Sequence, residues 1–310
     1  MRLTQAGHGD VLFPYPIVER TTRESPMRVA SILIAGLLGT LFVFTAEAET
    51  PPLKIMSYNL RYASPIGKNS WPTRRPILAE LVKKHSPDVL GTQEGLFHQL
   101  KDLEKDLKDY AWIGLGREGG SRGEFMAIFY KRDRFEPIEY DHFWLSDTPN
   151  VIGSASWGNN VRRMVTWVRF KDIAADRQFY FINTHFDHES QPSREKSAEL
   201  LRERANALQN TMPTIVVGDF NAAAESNQAY DTLVGKNGFQ DTWKVAKHLG
   251  AQTQSFNGFF YPAKEQGARI DWILFRGPLE AKTVVIDPYA KDKQYPSDHF
   301  PVIAEFEYAK

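Results

Sequence analysis

Val216-Val217-Gly218-Asp219-Phe220-Asn221-Ala222 is the stretch on which the reading of this chain turns. The run from Thr214 to Val217 is short, β-branched and preceded by Pro213, the pattern of a buried strand. Gly218-Asp219-Phe220-Asn221 closes it. Asp219 and Asn221 stand two residues apart, so they share a side for as long as the strand continues. A carboxylate beside a carboxamide suits a hard divalent cation and a phosphate oxygen. The same residues also make an ordinary turn, because Asp and Asn bond their own backbone there. Other strand ends decide between the two.

Working outward, the same kind of polar group recurs where apolar runs begin or finish. Asn59 follows Ile55-Met56-Ser57-Tyr58, and Glu94 closes Thr92-Gln93-Glu94. Glu124 opens the run Phe125–Tyr130. His185 and Asp187 lie in Asn183-Thr184-His185-Phe186-Asp187-His188, and Asp271 lies in Arg269-Ile270-Asp271-Trp272. Ser297-Asp298-His299 precedes the last strand. Each admits a bland reading. Asn59 caps a turn, Glu94 is an acid favoured at a helix N-terminus, and His185 and His299 are structural histidines. His188 reads as a solvated loop residue. Asp271 resists dismissal, because an unpaired charge among Ile270, Trp272 and Ile273 is costly. It needs a buried partner, and an imidazole N–H is a natural one.

Periodicity predicts helices over Pro72–His85, Phe97–Leu107 and Ser193–Asn210, the last with a stripe of Ala198, Leu201, Ala205 and Leu208. Strands are expected at Leu53–Asn59, Val89–Gln93, Trp112–Leu115, Phe125–Tyr130, Phe135–Leu145, Val161–Phe170, Phe179–Thr184, Ala268–Phe275, Lys282–Ile286 and Phe300–Glu307. Two halves repeat a strand–helix–strand theme with many extra strands. That is an α+β pattern, a mixed two-sheet sandwich flanked by helices, with the site on loops at strand ends.

The chain has 310 residues, 25% charged and 42% hydrophobic, an ordinary globular composition. Lys+Arg and Asp+Glu both total 38, so there is no basic excess to support a broad grip on nucleic acid. No cysteine is present, which excludes thiol catalysis and thiolate metal sites. Val29–Ala46 is an uncharged apolar run after Arg28, followed by Ala46-Glu47-Ala48. It reads as a signal peptide cut after Ala48, with Met27 as a candidate start, and so as a secreted or periplasmic protein. The alternative is an uncleaved membrane anchor. Residues 1–48 are thus an upstream extension plus signal peptide, and 49–310 one catalytic domain, expected as a monomer without stable membrane association.

The set Asn59, Thr92-Gln93-Glu94, Asn183-Thr184-His185, Gly218-Asp219-Phe220-Asn221, Arg269-Ile270-Asp271 and Ser297-Asp298-His299 resembles the endonuclease/exonuclease/phosphatase superfamily, in the family's order, from Leu53 to Tyr308. Asn183–His188 and Phe143-Trp144-Leu145-Ser146-Asp147-Thr148-Pro149 resemble its deadenylase-like and bacterial secreted branch. The resemblance implies a four-layer α/β/β/α sandwich with two packed mixed β-sheets. It implies Glu94 as the main ligand of Mg²⁺ or Mn²⁺, with Asn59, Asp298 and Asp219 at the metal. Asp219 and Asn221 would orient the attacking water and the transition state, and His299 would pair with Asp271. His185 would contact the scissile phosphate, as imidazolium if it carries charge, and Glu124 would pair with His185. Arg163 would face the phosphate, and Asn59, Asn221, His185 and Arg163 would bind substrate.

The activity so implied is metal-dependent hydrolysis of a phosphodiester or a phosphorylated small molecule. An extracellular nuclease is one alternative; the neutral charge speaks against it, and residues 1–48 hold four basic and four acidic groups, so the remainder is neutral too. A sphingomyelinase-type lipid phosphodiesterase is another. Its one candidate docking segment, Phe256-Asn257-Gly258-Phe259-Phe260-Tyr261, reads equally as core or as a surface that stacks a base or sugar. A binding module on a dead scaffold is disfavoured by the complete polar set.

Overall fold

A computed structural model of the chain describes residues 50–209 and 211–309. Strands Leu53–Asn59 and Val89–Gln93 run parallel, and both are buried along nearly their whole length. Burial on both faces explains why neither shows clean apolar–polar alternation. They sit inside a seven-stranded sheet ordered Lys247–His248, Leu279–Ile286, Val302–Tyr308, Leu53–Asn59, Val89–Gln93, Ile128–Lys131, Tyr110–Ile113. A six-stranded sheet is ordered Gln240–Asp241, Asp271–Arg276, Thr214–Asp219, Arg177–His185, Met164–Asp172, Phe135–Trp144.

The sheets face each other across a core that includes Ile55, Val89, Phe170, Phe181, Val217 and Phe306. Helices Trp71–His85 and Phe97–Asp106 cover the outer face of the first sheet through Leu78, Leu81, Leu100 and Leu103. Helices Gln191–Ala207 and Gln228–Val234 cover the second through Ala198, Leu201 and Leu233. This is the expected α/β/β/α sandwich with two mixed sheets.

A close inter-sheet approach fixes the site end of the sandwich. A Cβ on Gly91 would lie 2.4 Å from Val217 Cγ2 and 3.0 Å from the Asn183 side chain. Beside it Gln93 Nε2 donates to Asn183 Oδ1 at 2.7 Å, and Asn183 Nδ2 donates to the Thr92 and Ala127 carbonyls at 2.8 and 2.9 Å. These buried amide contacts between the sheets tie them in one register. Along the second sheet Asp219 stands opposite His185 on one side and Asp271 on the other. In the first, Asn59 stands opposite Gln93, and Glu94 follows. Adjacent strands lie about 4.8 Å apart, so register alone sets these groups in rows.

Three local expectations need correction. Phe125–Tyr130 is two strands: Glu124–Phe125 pairs with Gly95–Leu96, and Ile128–Lys131 pairs with Val89–Gly91. The partner bends at Glu94, whose φ is 62°, and the pairing breaks with it. The strand into the opening motif ends at Asp219, and Asn221 has a left-handed φ of 48°. The helices Gln228–Val234 and Thr242–Val245 were not expected; both are too short to show a period, and side chains of Asn227 and Asp241 cap them. The signal-peptide reading of Val29–Ala48 lies outside the described residues. Among those described, no helix is long and apolar enough to cross a membrane.

Candidate active site

Asp219 ends its strand and divides its two oxygens. Oδ1 accepts the backbone N–H of Asn221 at 3.0 Å, so the turn reading of this motif holds. Oδ2 faces the other way. It accepts from Asn59 Nδ2 at 2.9 Å and lies 3.5 Å from His185 Nε2 and 3.6 Å from His299 Nε2. Burial, with Asp271 nearby and His299 opposing, pushes the Asp219 carboxyl up to about 7.

His299 Nδ1 lies 2.9 Å from Asp271 Oδ2, and since a carboxylate only accepts, Nδ1–H is the donor. That bond aims Nε2 at Asp219. Burial alone would lower the His299 pKa, but Asp271, Asp219 and Asp298 outweigh it and hold the ring well above its ordinary value. Asp271 is in turn fixed by the Ser255 hydroxyl on its backbone N–H at 3.1 Å.

Asn59 Oδ1 accepts the Arg61 backbone N–H at 2.9 Å, which orients the amide. Its Nδ2 then donates to Glu94 Oε1 at 3.0 Å and to Asp219 Oδ2. Asn59 therefore turns N–H groups, not an oxygen, toward the carboxylates, and its expected place as a metal ligand is corrected on that ground. Glu94 also accepts from Tyr62 N at 2.7 Å. Burial would raise its pKa, yet His299, the Tyr62 amide, Asn59 and Arg61 together lower it. Arg61 Nη1 lies 3.8 Å from Glu94 and 3.4 Å from Asp298, whose pKa burial raises.

His185 departs from expectation twice. Asn221 Nδ2 donates to the Phe186 carbonyl at 3.1 Å, which fixes that amide too. It also approaches His185 Nε2 at 3.0 Å, so Nε2 accepts. Burial and the nearby Arg163, His299 and Arg117 hold His185 well below its ordinary pKa. The ring is neutral, and the imidazolium reading is overturned. Nor does Glu124 pair with it: His185 Nδ1 has no partner among the described residues, and Glu124 Oε2 accepts from Arg117 Nη1 at 2.6 Å. Burial, with Arg117 opposing and Glu94 adding to it, pushes Glu124 up to about 7.

These groups share one cleft of about 780 Å³. Glu94, Glu124, Arg163, His185, Asp219, Asn221, Asp298 and His299 line it, while Asn59 and Asp271 are buried directly behind. Arg163 Nη2 donates to His188 Nδ1 at 2.9 Å, so His188, an exposed loop residue as expected, also lines the cleft. Arg61, Tyr62, Arg117, Phe256, Gly258, Phe259 and Phe260 also line it. Arg61, Tyr62 and Arg117 carry no motif in the sequence; Arg117 sits in Gly116–Gly123, a glycine-rich turn.

A divalent cation fits this donor set. Glu94 and Asp219 converge on a single amide nitrogen, and Glu94, His185 and Asp219 offer ligand atoms within 4.8 Å of one another. The lone pair of His185 Nε2 is taken by Asn221, which would leave the hard carboxylate oxygens of Glu94 and Asp219 as holders, with Asp298 on the same cleft. Asp219, Asp271 and His299 form a second such group, in which His299 Nδ1 is already bonded to Asp271.

The family model described as "Endonuclease/Exonuclease/phosphatase family" matches residues 56–299. A mannosyl-6-phosphatase from Bacteroides thetaiotaomicron is 35% identical, with a TM-score of 0.77, covering 83% of this chain and 100% of that one. An endonuclease/exonuclease/phosphatase from Bacteroides vulgatus is 30% identical with a TM-score of 0.78, covering 83% and 99%. An uncharacterised protein of Acanthamoeba polyphaga mimivirus is 27% identical over 260 residues, 76% of this chain and 92% of that protein.

Proposed function

Because the chain belongs to the endonuclease/exonuclease/phosphatase family and is thereby a metal-dependent hydrolase of phosphoester bonds, we propose that its substrate is a phosphorylated small molecule, released by in-line attack of water. The observation that carries this reading is the 35%-identical mannosyl-6-phosphatase, matched along its full length. The neutral charge of the chain supports it, since a polynucleotide partner favours a basic excess.

The chain's own groups divide the work. Glu94, Asp298 and Asp219 would hold Mg²⁺ or Mn²⁺, which when bound neutralises charge on the phosphoryl oxygens and organises the attack. Asp219 Oδ2 and His299 Nε2, 3.6 Å apart on the cleft wall, orient the attacking water and receive its proton between them. His299, fixed by Asp271, keeps Asp219 in place and puts positive charge beside the phosphoryl group. Asn221 holds neutral His185 against the same oxygens, and Arg163 and Arg117, which line the same cleft, bind the phosphate.

Turnover of a panel of sugar phosphates, bis-p-nitrophenyl phosphate, DNA and sphingomyelin, with EDTA and with added Mg²⁺ or Mn²⁺, tests this. Sugar phosphate hydrolysis that EDTA abolishes, and that changes little between 50 and 200 mM salt, is the expected result. Activity on DNA alone, falling by about 10³-fold or more over that range, is the nuclease outcome and overturns the reading. We also propose export, with 49–310 as the mature catalytic domain; N-terminal sequencing of protein from the cell exterior should begin at Glu49, and an uncut chain in the membrane would refute it.

A further inference from the structure

Phe256–Tyr261 takes no part in the chemistry above, yet it is not loose, and of its aromatic side chains Phe259 packs against the core. Phe256, Phe260 and Tyr261 are 42%, 78% and 48% exposed, and Phe256, Gly258, Phe259 and Phe260 line the cleft. The segment is bolted to the catalytic loop. The N–H groups of Asn257 and Gly258 both donate to the Asp298 carbonyl, at 2.7 and 3.1 Å. Asn257 Nδ2 donates to the Ser297 carbonyl at 3.1 Å. Phe256 bridges to His299, and their rings meet edge-on with centroids 5.0 Å apart. Gly258 has a φ of 59°, and a Cβ there would lie 3.1 Å from the Phe260 ring and 3.4 Å from the Phe256 ring. The two rings thus lie over a bare backbone as one ledge, at a fixed height above the metal-side loop. Exposed aromatic area on a cleft wall is apolar surface that a ligand can cover.

We propose that Phe260, with Phe256 beside it, is the platform for the apolar face of the substrate's sugar ring, so that the substrate class is a phosphorylated pyranose. This rests on the phosphoesterase reading and specifies it. A pyranose has a face of C–H groups and an edge of hydroxyls. The ledge offers apolar ring surface to the first, and half-exposed Arg61 and Tyr62 on the same cleft offer polar groups to the second. A membrane is the less suitable occupant: the ledge faces into the cleft, and Lys264 and Glu265 just beyond it cancel in charge, whereas an anionic bilayer favours basic flanks.

The test compares a hexose 6-phosphate with glycerol 3-phosphate, a monoester without a ring. Phe260→Ala should raise KM for the hexose phosphate about tenfold with kcat little changed, while kcat/KM for glycerol phosphate falls less than about threefold. Phe260→Tyr should restore the hexose phosphate. Equal losses on both substrates, or no loss, overturn the platform. Calorimetric binding to the Asp219→Asn variant separates the two levels. If wild type hydrolyses neither ester, the functional reading fails. If Asp219→Asn binds hexose phosphate no better than glycerol phosphate, or its preference survives Phe260→Ala, the platform fails on its own. Sedimentation with phosphatidylcholine vesicles that depends on Phe260 and Tyr261, without a change in sugar phosphate KM, would assign the segment to a membrane and overturn the proposal.

Discussion

Asp219 uses one oxygen to close its turn and the other to face Asn59, His185 and His299. An asparagine keeps the first role, since its carbonyl oxygen still accepts the Asn221 N–H, and loses the second. Asp219→Asn should therefore lower kcat by roughly 10³-fold or more, with a melting temperature close to wild type; near-wild-type turnover would remove Asp219 from the chemistry. Asn59 and Asn221 show how an amide's role is settled by its second contact. Each is oriented by a backbone group, Arg61 N–H or the Phe186 carbonyl, before it meets a catalytic side chain.

The loops that carry the site are held by a residue of helix Trp71–His85. Arg74 is fully buried and donates to five carbonyls, those of Leu60, Arg61, Tyr62, Asn69 and Pro296. It joins the end of strand Leu53–Asn59 to the segment before Ser297-Asp298-His299, whose Asp298 and His299 line the cleft. Arg74→Leu should destabilise the protein by about 3 kcal/mol in urea denaturation, the scale of a lost set of charged hydrogen bonds, and lower activity further by loosening both loops. Gly91→Ala should cost about 1–3 kcal/mol by forcing a methyl against Val217 of the facing sheet. An unchanged midpoint in either variant would show that the neighbouring backbone yields.

Across the whole molecule, the far end of the same helix is tied to the end of strand Leu279–Ile286. Asp287 lies 2.9 Å from Lys84 Nζ and 2.6 Å from His85 Nε2. Burial would raise the Asp287 pKa, but the hydrogen bonds and charges of His85 and Lys84 outweigh it and lower it. A depressed folded-state pKa gives stability that is present above the unfolded value of about 4 and is lost as pH falls through the folded one. The melting temperature of wild type should exceed that of Asp287→Asn at pH 6–7, and the gap should close below about pH 4. A constant gap would place the effect in packing instead of charge.

Asp219, Glu94, Asp271 and His299 were legible in the sequence because strand ends are marked by local signals. Apolar runs stop, and polar groups that no core strand needs stand in their place. The layered fold was legible for the same reason, since period and run length are properties of neighbouring residues. Arg117, His188 and Arg74 were not, because their partners lie 7, 25 and up to 222 residues away in the chain, and no local pattern encodes which of several arginines will meet which carboxylate or carbonyl. The Glu124–His185 pair failed on the same point: Arg117 captures Glu124 from its own turn, and only the folded geometry decides that contest. The sequence by itself determined the sandwich and the residue types at its catalytic end. The tertiary structure alone decided which atom of each faces the cleft, because hydrogen bonds made by the opposite edge of every amide, imidazole and carboxylate set that choice.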